Sequence, residues 1–231
     1  MKRFWTQASV TGGPGHWGVA LDGRPLRTPA RAALLVPTEA LASAIAAEWN
    51  AQGPQVNPRS LPLTGFANAA IDRVAPDAAA FASRLAAYAQ SELIAYRADG
   101  PASLLTAQAQ AWDQWVDWLA RRYDVGLTIT TGIMHVAQPP ATLARIATAF
   151  AAFTPFQLAP LDPIVTITGS AVLALAVAEG ELDATAAHDI AHVDARWQEE
   201  QWGRDPLAQA AEASRRADLA AAVACLRLLP A

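Results

Sequence analysis

The chain has 231 residues, 53% of them hydrophobic and 16% charged, so it can bury a substantial core and is no candidate for disorder. Its formal net charge of −4 argues against a general nucleic-acid binder, because such proteins need a basic patch that displaces counterions from phosphates. Cys225 is the only cysteine, which excludes an intrachain disulfide and a cysteine zinc cage. Lys2 is the only lysine, which excludes a Walker-type phosphate loop and a Schiff-base lysine within the fold.

The sequence contains no segment typical of a secretory leader or a membrane anchor. Its beginning turns polar after Trp5 and has no apolar core of signal-peptide length. The most apolar stretch, residues 163–178, is shorter than the roughly 20 residues that cross a bilayer, and Gly169 and Ser170 interrupt it. We therefore expect no stable membrane insertion. The expected location is the bacterial cytoplasm, or the mitochondrial matrix for a processed eukaryotic chain.

The N-terminal part of the chain is predicted to form β-structure. Short runs of strand-forming residues, separated by glycine and proline, predict strands at residues 4–10, 17–21, 26–28 and 33–36. Asp22-Gly23 indicates a tight turn between two strands, because both residue types tolerate positive φ. Thr38 is then a predicted helix N-cap, and apolar residues recur at every fourth position after it.

The pattern changes at residues 52–62, which are rich in proline, asparagine and glycine and form the predicted domain boundary. Beyond them the periodicity is helical, with one strand-like stretch at residues 127–131. The predicted helices cover residues 64–74, 77–92, 103–123, 141–153, 154–165, 170–178, 184–202 and 206–228. A β layer followed by a run of helices predicts an α+β fold. The small N-terminal antiparallel β domain, with one helix, would cover residues 1–60, and a larger all-helical, orthogonal bundle-like domain residues 61–231.

His188 and His192 are the strongest candidates for metal chemistry. Their His-x-x-x-His spacing puts two imidazoles on one helix face, and Asp189 occupies the position of a metalloprotease base. Asp189 is one methylene shorter than the usual glutamate, and Asp194 lies about 200° around the helix from His192, too far to be a third ligand. Arg196 shares the histidine face and would oppose a cation. A metal-dependent hydrolase using His188 and His192 is therefore kept as the alternative function.

Tryptophan is unusually abundant, with eight in the chain, and three of these residues share one predicted helix. Trp112, Trp115 and Trp118 cover an arc of roughly 120° on that helix. Packing into a large core is the favoured interpretation. An exposed aromatic face for a partner is the alternative, since aromatic residues dominate interface hot spots.

A second stripe consists of Asp194, Gln198 and Trp202, spaced by four along another predicted helix and flanked by Trp197. A carboxylate, an amide and an indole on one face make a mixed patch that suits a protein partner. The same side chains could equally tie two helices of this chain together. The spacing alone leaves both interpretations open.

Several segments resemble the ATP synthase assembly chaperones of mitochondria and related bacteria, specifically those for the α subunit. In chain order they are residues 19–29, 36–42, 47–49, Gln52, 61–64, 67–68, 71–72, 96–97, Gln110, 112–113, Trp118, 169–170, Asp194, Trp197, Gln198 and 202–203. Each segment alone is a weak signal, whereas their order and spacing together are specific. The resemblance covers nearly the whole chain.

The resemblance implies a binding protein and not an enzyme. Members of the family bind the unassembled α subunit of the catalytic head and shield the surface that later faces the β subunit. No catalytic residue, metal or other cofactor is implied, and we expect a monomer.

The resemblance also implies partner-binding residues. The functionally sensitive acid of the family maps to Asp194, with Trp197, Gln198 and Trp202 beside it, and a second family acid maps to Glu92. The chain departs from the family pattern in having aspartate at Asp194, where glutamate is expected in many relatives. It also has alanine at position 195, where the family has a neighbouring acid, and glutamate instead of aspartate at Glu92.

Overall fold

The computed structural model describes residues 2–203 and 205–230, and its first elements form an antiparallel sheet around one central strand. The strands are β1 (Ala8–Gly13), β2 (His16–Leu21), β3 (Arg24–Pro25) and β4 (Leu35–Val36). The central strand β2 pairs with β1 over its whole length and with the short β3 and β4 near its two ends. The predicted N-terminal antiparallel sheet is therefore confirmed.

The side chain of Asp22 explains why β1 begins at Ala8 and not at residue 4 as predicted. Its carboxylate accepts hydrogen bonds of 2.9 Å from the backbone N–H groups of Thr6 and Gln7, which a strand ladder would otherwise use. These two bonds lower the pKa of the Asp22 carboxyl. Asp22 and Gly23 themselves have φ values of 47° and 81°, so the predicted tight turn between β2 and β3 is also confirmed.

Helix α1 (Glu39–Asn50) covers one face of this sheet. Thr38 caps it as predicted, because the Thr38 hydroxyl accepts a hydrogen bond of 3.2 Å from the N–H of Leu41. Leu41, Ile45 and Trp49 point from α1 into the core and are at most 9% exposed. They pack there with Trp5, Val19, Leu21, Leu34, Val36, Leu61, Ala67 and Cys225.

Most of the remaining described chain is helical, which confirms the α+β class. The further helices are α2 (Pro62–Ala69), α3 (Ala78–Ala86), α4 (Ala102–Tyr123), α5 (Pro140–Ala151), α6 (Pro155–Thr168), α7 (Ala171–Ala178), α8 (Ala184–Ala191), α9 (Val193–Trp202) and α10 (Pro206–Arg227). Two short parallel strands, β5 (Tyr96–Arg97) and β6 (Thr130–Thr131), lie among them. None of the helices in the described ranges is long and apolar enough to cross a membrane.

The described residues group into two units. The first contains residues 2–81, 153–160 and 221–230, and the second contains residues 82–152 and 161–220 apart from position 204. This division differs from the predicted boundary at residue 60, because Leu61 and Ala67 belong to the core of the first unit and Cys225 reaches it from the far end of the sequence. The division into domains of residues 1–60 and 61–231 stays a prediction.

Helix α7 lies at the centre of the second unit. Every residue from Ala171 to Val177 is buried. Ser170 caps the helix, since its hydroxyl oxygen accepts a hydrogen bond of 2.9 Å from the N–H of Leu173. The apolar stretch of residues 163–178 is thus divided between α6 and α7 at Gly169, which has a φ of 65°.

The core of the first unit gives a stability prediction. Ile45 is 0% exposed, so Ile45→Ala leaves a cavity and is expected to cost about 2–5 kcal/mol of the free energy of unfolding. Leu35 is 40% exposed, so the control Leu35→Ala is expected to cost less than about 1 kcal/mol. Urea unfolding followed by tryptophan fluorescence measures both. Equal losses for the two variants would contradict this account of the core.

Candidate functional site

An open groove in the second unit has a volume of about 790 Å³ and is lined by residues of α4, α9 and the segments around β5 and β6. Its polar and charged lining includes Arg97, Asp99, Gln108, His135 and Asp194. Leu93 and Ile133 add apolar surface, whereas Trp112 borders the groove but is only 1% exposed. A groove of this size, with a few convergent polar groups, is typical of a binding site.

Gln108 fixes the position of Asp194 in this groove. The Gln108 side chain is 1% exposed and lies on the buried face of α4. Its Nε2 donates a hydrogen bond of 2.8 Å to Asp194 Oδ1, and its Oε1 accepts one of 2.9 Å from the N–H of Ala98. One neutral amide therefore joins α4 both to α9 and to the segment after β5, and it holds the half-buried Asp194 carboxylate in a defined orientation.

Arg97 is the arginine of the groove, and its charge is already compensated. Its Nη2 lies 2.8 Å from Asp113 Oδ1, and its guanidinium lies 5.2 Å from the centre of the Trp112 ring. Trp112 is fixed in turn, because its Nε1 donates a hydrogen bond of 2.8 Å to the carbonyl oxygen of Ile190. Asp194, by contrast, receives its hydrogen bond from a neutral amide and not from a cation.

The structure brings four of the five predicted partner-binding residues together on α9. Asp194 faces the groove, whereas Gln198 is exposed and Trp202 is 76% exposed. Trp197 is half-buried and donates a hydrogen bond of 3.2 Å from Nε1 to the hydroxyl of Ser103. The rings of Trp197 and Trp202 meet edge to face with their centroids 5.9 Å apart. The first turn of α9 is thus bonded internally, whereas its end is open to solvent, and binding of a partner by this stripe stays a prediction.

The predicted single helix over residues 184–202 is interrupted at His192, between α8 and α9. His192 has φ −110° and ψ 27°, outside the helical region. Both its backbone N–H and its ring Nδ1 lie within hydrogen-bonding distance of the carbonyl oxygen of His188, at 3.0 and 2.9 Å. Such a local side-chain bond competes with the backbone hydrogen bonds of a helix. A separate helix, α9, begins after it, with Asp194 in its first turn.

Glu92, the fifth predicted partner-binding residue, is 0% exposed. Its Oε2 accepts hydrogen bonds of 2.9 and 3.2 Å from the N–H groups of Ala171 and Val172, at the N-terminus of α7. Burial raises the pKa of Glu92 to about 7, against the effect of these hydrogen bonds and of the Ser170 hydroxyl. The side chain therefore supports α7, and any effect of Glu92 on a partner is indirect.

The histidine pair does not form a metal site in this structure. The rings of His188 and His192 are stacked, with centroids 4.0 Å apart and planes inclined by 8°. A metal ion binds in the plane of an imidazole ring, so one ion cannot lie in two parallel planes. Among residues 2–203 and 205–230, no three His, Cys, Asp or Glu side chains are placed to hold a metal ion. Asp189, the predicted base, pairs instead with Arg216 at 2.8 Å.

The tryptophan stripe on α4 belongs mainly to the core. Trp112 is 1% and Trp115 is 9% exposed, which confirms the favoured interpretation for these two. Trp118 is half-buried and packs with its ring centroid 6.2 Å from that of Trp115.

Two features of the site were not predicted from the sequence. Gln108 was missed, although a polar residue one turn before Trp112 on an otherwise apolar face is a recognisable signal. Ile133 and Met134 were also missed; they are 97% and 78% exposed and follow β6. Two large apolar residues beside Gly132, in a segment between helices, were the available indication.

Glu92 gives a pH prediction. Its folded-state pKa of about 7 lies above the ordinary value of 4.5, so the native state holds a proton that the unfolded state has lost between these pH values. The Glu92 contribution to stability is therefore complete below pH 4.5 and decreases as the pH rises to 7. Glu92→Gln removes this decrease. Its free energy of unfolding relative to the parent is expected to rise by up to about 3 kcal/mol over that range.

Chemical denaturation of both proteins at pH 4.5, 5.5 and 7 measures the difference. A constant offset between Glu92→Gln and the parent across the range would show that Glu92 ionises normally in the folded protein.

Known proteins resemble this chain both in sequence and in structure. A family model described as ATP12 chaperone protein matches residues 2–120. The crystal structure of Atp12 from Paracoccus denitrificans superimposes with a TM-score of 0.94 and 43% sequence identity, covering 98% of this chain and 97% of that one. The crystal structure of Atu1473 from Agrobacterium tumefaciens gives a TM-score of 0.95 and 38% identity, covering 99% of this chain and 86% of that one.

A curated relative agrees as well. The mitochondrial protein atp12 of Schizosaccharomyces pombe is 24% identical over 214 residues, which cover 87% of this chain and 74% of the relative. The family match includes β1 to β4, α1 and most of α4, while the structural matches extend over both units. The chain therefore belongs to the ATP12 chaperone family, the chaperones of ATP synthase assembly.

Proposed function

We propose that this chain binds the unassembled α subunit of the ATP synthase catalytic head and shields the surface by which α later contacts β. The observation that carries the proposal is the stripe on α9, in which Asp194 is held in an open groove while Gln198 and Trp202 extend into solvent. Family membership supports the class of function, and the stripe supplies a surface that suits a protein partner.

The physical need for such a protein follows from the exposed surface of the unassembled α subunit. An isolated subunit of a larger assembly exposes an apolar interface, and exposed apolar surface promotes aggregation. A protein that covers this surface must bind less tightly than the native neighbour, so that the neighbour displaces it. An aromatic side chain such as Trp202 contributes contact area at low cost in conformational entropy.

The proposal describes stoichiometric binding without turnover. It requires no cofactor and no catalytic residue. We propose that the chain acts as a monomer in the bacterial cytoplasm, or in the mitochondrial matrix for a eukaryotic chain. Size-exclusion chromatography of the chain with purified α subunit from the same organism tests the proposal, with a 1:1 complex as the expected result. Elution of the two proteins as separate species under reducing conditions would contradict it.

Asp194→Lys tests the role of the stripe. The variant reverses the charge in the groove, so we expect the affinity for α to fall by about tenfold or more. Because the buried Nε2 of Gln108 loses its acceptor, the variant is expected to cost about 1–3 kcal/mol of stability. Isothermal titration calorimetry and a thermal melt measure the two effects.

The matched control is Asp218→Lys, which makes the same charge change at an exposed position on α10. We expect it to bind α like the parent. Equal binding by Asp194→Lys and Asp218→Lys would show that Asp194 is not part of the surface that contacts the partner. A collapse of the melting temperature in Asp194→Lys alone would instead identify Asp194 as a structural residue.

A further inference from the structure

We infer that the groove and the apolar residues beside it form one docking surface, and that its occupant is an arginine or lysine of the α subunit flanked by apolar side chains. This inference rests on the proposed function and adds the chemistry of the bound segment. It also assigns a role to Ile133 and Met134, which lie outside the predicted partner-binding residues.

The apolar part of the surface is the segment after β6. Ile133 is 97% and Met134 is 78% exposed, whereas isoleucine and methionine are usually buried in folded proteins. Ile133 also lines the groove directly. Methionine is flexible and polarisable, which suits contact with irregular apolar surfaces. These two side chains therefore provide an apolar border next to the polar groove.

Hydrogen bonds fix the segment on both sides of Ile133 and Met134, whereas these two side chains extend into solvent. The N–H of Gly132 donates a hydrogen bond of 2.8 Å to the carbonyl oxygen of Arg97, continuing the pairing of β5 with β6. On the other side, the hydroxyl of Tyr96 lies 3.3 Å from both His135 Nδ1 and the N–H of Val136. A segment fixed at both ends loses little conformational entropy when a partner covers it.

The charges in the groove select a cation. Asp194 and Asp99 are its acids, and Gln108 orients the Asp194 carboxylate without neutralising it. Among the lining residues that the structure describes, the arginine is Arg97, which pairs with Asp113. An incoming arginine or lysine would meet a carboxylate that forms no ion pair with any described residue, whereas an acidic side chain would meet repulsion in a partly desolvated site.

The groove also suits the shape of such an occupant. Leu93 and Ile133 provide apolar walls along which the aliphatic stem of an arginine or lysine can lie while its charged end reaches Asp194. The groove volume of about 790 Å³ is within the range found for small-molecule binding sites in proteins. A wholly apolar segment would bury the Asp194 carboxylate without a partner, which is unfavourable.

Two variants separate the charged and apolar contributions. Asp194→Asn keeps an oxygen acceptor for Gln108 and removes the charge. The double variant Ile133→Ser/Met134→Ser changes side chains that are already in solvent, so neither variant is expected to unfold the protein. With the full chain and purified α subunit of the same organism, each is expected to bind about 10- to 100-fold more weakly than the parent. Asp218→Asn is the control for the charge and is expected to bind like the parent.

Salt identifies the charged contact. Binding by the parent is expected to weaken between low and high ionic strength, and binding by Asp194→Asn to depend less on salt. If the parent fails to bind α, the proposed function and this inference both fall. If the parent binds α and both groove variants bind equally well, the inference alone falls.

Cross-linking identifies the occupant. With p-benzoylphenylalanine at position 134, we expect cross-links to an α-subunit peptide that has an arginine or lysine within about four residues, since an extended chain advances by about 3.3 Å per residue. Cross-links to a peptide without a basic residue, or to a second copy of this chain, would overturn the inference.

Discussion

The geometry of the candidate site depends on one buried amide. Gln108 donates a hydrogen bond to Asp194 on α9 and accepts one from the backbone of Ala98, so a single side chain joins three parts of the second unit. An amide can do this because it carries a donor and an acceptor at once, whereas a carboxylate or an amine carries only one kind. Because the amide is neutral, it orients the Asp194 carboxylate and leaves its charge available to a partner.

Two buried titratable groups lie behind the site, and burial favours the neutral form of each. Burial raises the pKa of Glu92 to about 7 and lowers the pKa of His188 to about 4, with the charges of His192 and Arg216 adding to the second shift. The two shifts act on stability in opposite directions. The Glu92 contribution decreases as the pH rises from 4.5 to 7, and the His188 contribution decreases as the pH falls from 6.5 to 4. Both groups belong to the interior that holds α7 and α8, and neither faces the groove.

Short-range patterns in the sequence predicted much of the fold. The site could not be predicted in the same way, because it depends on contacts between residues that are far apart in the sequence. The cap at Thr38, the apolar residues at every fourth position of α1 and the turn at Asp22 follow from neighbours within a few residues, and all were predicted. The break at His192 was not predicted, because no glycine or proline marks it. Gln108 and Asp194 are separated by 86 residues, so their contact depends on the packing of α4 against α9. Glu92 was assigned to the partner surface by the family resemblance, and its burial against Ala171, 79 residues further on, is not visible in local sequence.

We propose that this chain covers the surface of another protein with α9 and the segment after β6. Hydrogen–deuterium exchange of the chain, alone and with a stoichiometric amount of α subunit, is the decisive measurement, because exchange reports where the backbone becomes protected. We expect α to lower the exchange of residues 129–136 and 194–202. Protection confined to the N-terminal sheet, or unchanged exchange throughout in the presence of α, would contradict it.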